Sequence, residues 1–146
     1  MAGLLNKLRM MDAAPAKAPA PQSEKSAETG LYRREAVFPL STFCDRSYAT
    51  PETLRTVFGC DFPASVVPED VLFLDTETTG LSGGVGTVAF QVGLGYFTEA
   101  GFAVEQFLMR DYPDEEAMLN LLAARMKRFS VLCTFNGKTF DVPLLK

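Results

Sequence analysis

Asp75 and Glu77 lie two residues apart at the end of an apolar run, Val71-Leu72-Phe73-Leu74, and lead straight into a polar turn, Thr78-Thr79-Gly80. A run this short and apolar on both faces reads as a central strand of a sheet. The strand's period of two then puts both carboxylates on one face at its C-terminal end, with Thr76 turned to the other. Like charges side by side repel, and a fold keeps them where something offsets the cost, most simply a hard divalent cation. An acidic pair alone is weak evidence, because solvated turns at strand ends often carry one.

A second segment makes the same demand from a distance. Val131-Leu132-Cys133-Thr134 is another short apolar run, followed by Phe135-Asn136-Gly137-Lys138-Thr139-Phe140-Asp141-Val142-Pro143-Leu144-Leu145, in which Asp141 opens a new helix. Singly this is a strand, a glycine turn and an aspartate favoured near a helix N-terminus by the backbone dipole. Residues 87–97 and 102–109 flank Thr98-Glu99-Ala100-Gly101, whose glycine marks a hairpin turn, so the first three strands form an antiparallel meander. Asp114 to Phe129 spells an amphipathic helix. Asp114, Glu115 and Glu116 suit its N-terminal end, Met118, Leu121, Leu122, Arg125 and Met126 recur at helical spacing, and Lys127 and Arg128 suit its C-terminal end. The strand at 131–135 then returns beside the first by a right-handed crossover. That topology expects Asp75, Glu77 and Asp141 at neighbouring strand ends, within reach of a shared ion.

Taken together, DTETTGL at 75–81 and FNGKTFDVPLL at 135–145 resemble the first two motifs of the DEDD exonucleases on the ribonuclease H-like fold. The Gly-rich stretch between them, Leu81-Ser82-Gly83-Gly84-Val85-Gly86-Thr87 and on to Gly95, is similar to the YprB-type branch of that superfamily. Three blocks agree in order and spacing over residues 71–146. The resemblance implies an α/β, ribonuclease H-like domain with a mixed central sheet, three antiparallel strands plus a parallel strand after a crossover helix. It implies 3′-5′ exonuclease hydrolysis of phosphodiesters with two divalent ions, Mg²⁺ or Mn²⁺. Asp75 would bridge the ions, Glu77 would hold the first, and Asp141 would help to hold the second. By the same resemblance Thr78, Gly80 and Leu81 line the pocket for the terminal nucleotide of a single-stranded DNA or RNA 3′ end. Asn136 and Lys138 then steady the second motif or touch phosphate, although Lys138 is equally readable as an ordinary exposed lysine.

Other uses of the glycines fail on context. Gly84 to Ala89 fits GxGxxA, but a dinucleotide fingerprint follows a strand and opens a helix, whereas a β-rich segment follows here. A P-loop would need Lys-Ser or Lys-Thr after the glycines. A glycosidase would need two acids facing each other across a cleft, which neighbouring strand positions sharing a metal do not offer.

The 146 residues, 47% hydrophobic and 11% aromatic, make one domain with ample core. A net charge of -4 gives no global attraction to nucleic acid, so contact with phosphate must come from metal and local cations. Cys44, Cys60 and Cys133 are scattered without CxxC spacing and there is no histidine, which argues against a disulfide framework or a zinc site and fits a reducing cytosol. Leu4, Leu5, Leu8 and Met11 form at most a short apolar stripe at a frayed terminus, and no segment reaches the roughly 20 apolar residues of a membrane span. Residues 12–30, rich in Ala, Pro, Ser and charge, read with the terminus as disordered linker. Residues 31–69 read as an extension containing a short helix bracketed by Thr50, Pro51 and Gly59, and residues 70–146 as the nuclease domain.

The DEDD pattern calls for a fourth carboxylate on a later helix, with a histidine or tyrosine nearby. Neither follows Asp141 before Lys146. The expectation is therefore a C-terminally truncated domain, the first portion of a longer nuclease and inactive alone. The alternative is a catalytically inactive ribonuclease H-like module that binds nucleic acid or regulates.

Overall fold

The alternation of apolar residues between Leu31 and Leu108 resolves into strands of one mixed sheet. The structure is a computed structural model and describes residues 22–25, 31–40, 50–59, 63, 65–80 and 86–145. In chain order the elements are β1 (Gln22–Lys25), β2 (Tyr32–Phe38), α1 (Pro51–Phe58), β3 (Val71–Thr78), β4 (Ala89–Thr98), β5 (Gly101–Leu108), α2 (Glu115–Met126), β6 (Val131–Thr134) and α3 (Asp141–Leu144). The six-stranded sheet has the order β1-β2-β5-β4-β3-β6. β3, β4 and β5 form the expected antiparallel meander, and β6 runs parallel to β3 from Val71 opposite Val131 to Leu74 opposite Thr134. This is the mixed α/β sheet, three antiparallel strands plus a parallel strand after a crossover helix, that the resemblance implies.

The period of two divides the sheet cleanly. Leu72 and Leu74 of β3, Val92 and Leu94 of β4, and Ala103 and Phe107 of β5 are buried on one face, together with Met118 and Leu122 of α2. On the other face the rings of Phe73, Phe97 and Phe102 meet edge to face, with centroids 5.0 to 6.4 Å apart. α2 is shorter than its sequence pattern. Tyr112–Asp114 is a single 3₁₀ turn before it. Beyond its end Phe129 packs on Tyr96 instead of extending the helix. Leu121, counted in the apolar stripe, is exposed, because α2 covers the sheet with one narrow face only.

α1 has the expected punctuation: Thr50 Oγ1 accepts from the Thr53 amide at 3.1 Å, Pro51 opens the helix, and Gly59 closes it in the left-handed region at φ 61°. The extension holds more than a helix. β2 pairs with β5 along its whole length, and β1, within the stretch read as linker, pairs with β2. Backbone hydrogen bonds to an open sheet edge supply there what the side-chain pattern does not. The N-terminal apolar stripe of Leu4, Leu5, Leu8 and Met11 lies outside the described residues.

The junction of β2 with β5 carries an ionic cluster. Register places Glu35 opposite Glu105, two like charges in a cross-strand pair. Arg33 resolves the conflict: its Nε donates to Glu105 Oε1 and its Nη2 donates to Glu35 Oε2 at 2.6 Å. Arg125 of α2 donates to the same Glu105 Oε1 at 2.9 Å. Glu105 is fully buried, and its Oε2 has no hydrogen-bond partner among the described residues. Among those residues no helix is long and apolar enough to cross a membrane.

Candidate active site at the carboxyl end of β3

β3 ends in Asp75-Thr76-Glu77-Thr78, and its pleat decides which of them meet solvent. Asp75 and Glu77 are exposed on the face away from α2, and Thr76 and Thr78 are half-buried on the other. Neither carboxylate makes a hydrogen bond or ion pair among the described residues. The pairing with β4 slips at this point: Glu77 lies opposite Gln91 but Thr78 opposite Ala89, leaving Phe90 as an extra residue. Such a bulge bends the strand and re-aims the side chains beside it. The turn beyond is stitched by hydroxyls. Thr78 Oγ1 donates to the Gly80 carbonyl at 2.6 Å, and the Val88 amide donates to Thr79 Oγ1 at 3.1 Å. Leu81, the third residue expected to line a nucleotide pocket, lies outside the described residues.

Asp75 stands on the wall of an open groove of about 790 Å³. Phe73, Phe102 and Phe135 give it aromatic walls, Gln106 and Thr134 give it polar edges, and Gly93 and Gly95 leave its floor bare. Phe135 is 93% exposed. Burial pushes the Cys133 thiol on this wall up from its ordinary value, which favours its neutral form.

The second motif folds as a tight turn between β6 and α3. The amides of Thr139 and Phe140 both donate to the Asn136 carbonyl, at 3.1 and 2.9 Å, and the Val142 amide donates to the Gly137 carbonyl at 2.8 Å. Gly137 is pressed against β6: a Cβ there would fall 1.8 Å from Thr134 Oγ1. Asn136 and Lys138 are exposed on the outside of the turn. Val142 and Leu145 face Leu74, Leu122, Met126 and Leu132 across a cavity of about 250 Å³ under α2.

The turn delivers Asp141 to Thr76. Asp141 is 4% exposed, and its Oδ1 accepts a hydrogen bond from Thr76 Oγ1 at 2.6 Å. Asp75 and Glu77 are on the other side of the strand, and among the described residues no group of three or more His, Cys, Asp or Glu stands close enough to hold a metal ion. Shared strand ends therefore do not amount to a shared carboxylate cluster here. Thr76 was readable in sequence only as the residue turned away from the acidic pair. The same parity aimed it at the face that the helix after β6 comes to cover, and that was the available signal for its role.

The donors suit a hard cation as a pair. Mg²⁺ is commonly held by one or two carboxylates, with waters and substrate phosphate completing its coordination, and exposed, unpaired oxygens on one face meet that need. Asp75 and Glu77 fit one such ion, and Asp141 stands apart from them.

Comparison with known proteins covers the same stretch. The family model for the RNase H superfamily matches residues 72–146. An uncharacterized protein of Bacillus subtilis (strain 168), YprB, is 38% identical over 77 residues, which is 53% of this chain. The chain spans 18% of the length of that relative. No solved structure matches the chain significantly.

Proposed function

The chain belongs to the RNase H superfamily, and from that membership we propose that it carries the leading acidic motifs of a metal-dependent nuclease site, of the 3′-5′ exonuclease type. The observation that carries this reading is the pair Asp75 and Glu77, exposed, unpaired and on one face at the bulged end of β3. Two exposed carboxylates without a protein partner, side by side on one face, are the donor set that a hard divalent ion takes. Bound Mg²⁺ or Mn²⁺ supplies charge neutralisation at the phosphoryl oxygens and an acidified water. Asp75 and Glu77 would hold the metal on the exposed face of β3, and Asp141, on the other face, would support the second motif through Thr76. Thr78, Gly80 and Leu81 border the terminal nucleotide, while Asn136 and Lys138 present a polar, partly cationic turn to the phosphate chain. The aromatic groove beside Asp75 suits unstacked bases, which supports a single-stranded DNA or RNA 3′ end as the substrate. The site would act in the cytosol, where cysteines remain reduced.

One observation favours a second reading, a module that binds nucleic acid without turnover: Asp141 is engaged by Thr76 and does not join the acidic pair. The two readings part in one experiment. The protein is incubated with 5′-labelled single-stranded DNA and RNA in Mg²⁺, Mn²⁺ or EDTA, beside its Asp75→Asn variant. A nuclease gives a ladder shortening from the 3′ end, absent in EDTA and slowed by several powers of ten in the variant. Retention of labelled strands on the protein with no shortening supports the binding module, and shortening that persists in EDTA rules out the metal-dependent site.

A further inference from the structure

Strand register lines up residues across the face of the sheet away from α2. Asp75 of β3 lies opposite Gly93 of β4, Gly93 opposite Gln106 of β5, and Gln106 opposite Arg34 of β2. Residues in register share a face, so these side chains form a row running straight across the strands. Beside it runs the row of Glu77, Gln91, Leu108 and Tyr32. Gly93 leaves the first row bare at its middle, since even a Cβ there would meet nothing nearer than the Asp75 carbonyl at 3.8 Å. The row is acidic at one end and cationic at the other. Arg33, one residue earlier, is turned to the α2 side and engaged by Glu105, whereas Arg34 is exposed and makes no hydrogen bond or ion pair among the described residues. Arg110, also exposed, joins it where β5 ends, with its guanidinium carbon 5.6 Å from the centre of the Tyr32 ring. The nearby Asp111 and Asp114 carboxylates are turned onto backbone amides, of Tyr112 at 2.8 Å and of Arg110 at 3.3 Å.

We propose that these rows are a track for single-stranded nucleic acid, on which Arg34 and Arg110 hold phosphates of the strand whose 3′ end meets Asp75 and Glu77. The inference rests on the reading of that acidic pair as the metal-holding end, and its test separates the two. Three strand spacings lie between β3 and β2, about 14 Å, which a strand stacked at about 3.4 Å per nucleotide crosses in about four. At a net charge of -4 the chain draws phosphate through local cations, and these two stand in line with the acidic pair. Gln91 and Gln106 between the ends offer amides and no charge, so a strand crossing them meets no repulsion before the metal. Tyr32 steadies Arg110 at the cationic end by contact of the guanidinium with its ring. Arg34 and Tyr32 both belong to β2, which precedes the residues matched to the superfamily. The extension therefore acts on the substrate as well as covering the edge of β5.

The test is fluorescence anisotropy of a 5′-labelled oligothymidylate of about eight residues, titrated with the protein in Mn²⁺ and in EDTA over a series of salt concentrations. Its linkages are phosphorothioates, which keep the charge of each phosphate and resist hydrolysis. Each phosphate contact on a single strand contributes about 0.7 to the slope of log affinity against log salt. Arg34→Gln should therefore lower that slope by about 0.7 and weaken binding about fivefold at low salt, Arg110→Gln should do the same, and Arg34→Lys should keep the slope. Lys127→Gln, an equal loss of charge at the exposed end of α2, should change neither. If both arginine-to-glutamine variants keep the wild-type slope, or Lys127→Gln lowers it as much, the track is wrong and the acidic pair is untouched. Absence of binding by wild type in both conditions overturns the track outright. Asp75→Asn judges the pair: it should lose the gain in affinity that Mn²⁺ gives wild type, and a gain that persists overturns the reading of the pair while the slopes still decide on the track. Polyglutamate of the same charge should not displace the strand. Displacement at equal concentration would mean that the rows take any polyanion, and the assignment to nucleic acid fails.

Discussion

Gly137 and Gly93 show how differently one residue type can be used. A Cβ on Gly137 would sit 1.8 Å from Thr134 Oγ1 and 2.7 Å from Thr134 Cβ, so the turn that carries Asp141 has to move to admit even alanine. A Cβ on Gly93 meets only the Asp75 carbonyl, at 3.8 Å. Overpacking of the first kind costs about 1–3 kcal/mol, whereas replacing a strand glycine that has room gains about 0.5 kcal/mol from reduced chain entropy. Urea melts should accordingly show Gly137→Ala with a lower midpoint than wild type and Gly93→Ala with an equal or higher one. Equal midpoints for Gly137→Ala and wild type would mean that the turn is not seated on Thr134. The sequence of this segment told of a turn from its glycine, which is a local property. It was silent on Thr134 as the reason, because close approach between a turn and the strand before it is a packing fact. Thr76 is the same case: its face follows from the pleat alone, whereas its bond to Asp141 depends on where a separate helix docks.

β2 was only partly legible in sequence, and its charges explain why. Tyr32-Arg33-Arg34-Glu35 does not alternate between apolar and polar, so the usual sign of a half-buried strand is missing. Its inward positions, Arg33 and Glu35, are made compatible with the sheet by Glu105, a residue far along the chain that is itself buried only because Arg33 and Arg125 neutralise it. β3 and β4 needed no such help, since their inward residues Leu72, Leu74, Val92 and Leu94 are apolar, and β5, whose hairpin turn is marked by Gly101, needs it only at Glu105. Removing one partner of a buried pair can cost 3–5 kcal/mol, but both arginines are about 30% exposed and Arg125 remains, so Arg33→Met should cost about 1–2 kcal/mol. Replacing Glu105 by Met in the same chain should restore part of this, with a coupling of about 1 kcal/mol in a double-mutant cycle. Strict additivity of the two changes in guanidinium melts would show that Arg33 and Glu105 do not act as a pair and that β2 is held by its backbone alone.

The molecule as a whole should respond to pH and to metal in separable ways. Burial, and after it the nearby Glu105 and Glu35, raises the Tyr96 phenol above its ordinary value of 10.0, and burial raises the Cys133 thiol above 9.0. Both groups are neutral when protonated and hold their protons more tightly folded than unfolded. Their stabilisation is complete below those ordinary values and is lost as pH rises through the folded ones. The melting temperature should therefore fall as pH rises past those ordinary values, and Tyr96→Phe should fall less steeply, whereas parallel declines would mean that Tyr96 does not contribute. The metal response expected from the proposed site belongs to the other face of β3. Asp75 and Glu77 are exposed, so water and salt screen their repulsion, and Asp75→Asn should shift the melting temperature in EDTA by no more than an ordinary surface change, within about 0.5 kcal/mol. Wild type should gain from Mn²⁺ in proportion to occupancy, about 1.4 kcal/mol at ten times the dissociation constant, because the ion binds the folded chain and not the unfolded one. That gain should disappear in Asp75→Asn while the alkaline decline stays unchanged, since Tyr96 lies on the face away from the carboxylates. A variant that keeps the full Mn²⁺ gain would place the ion elsewhere on the molecule and remove Asp75 from the site.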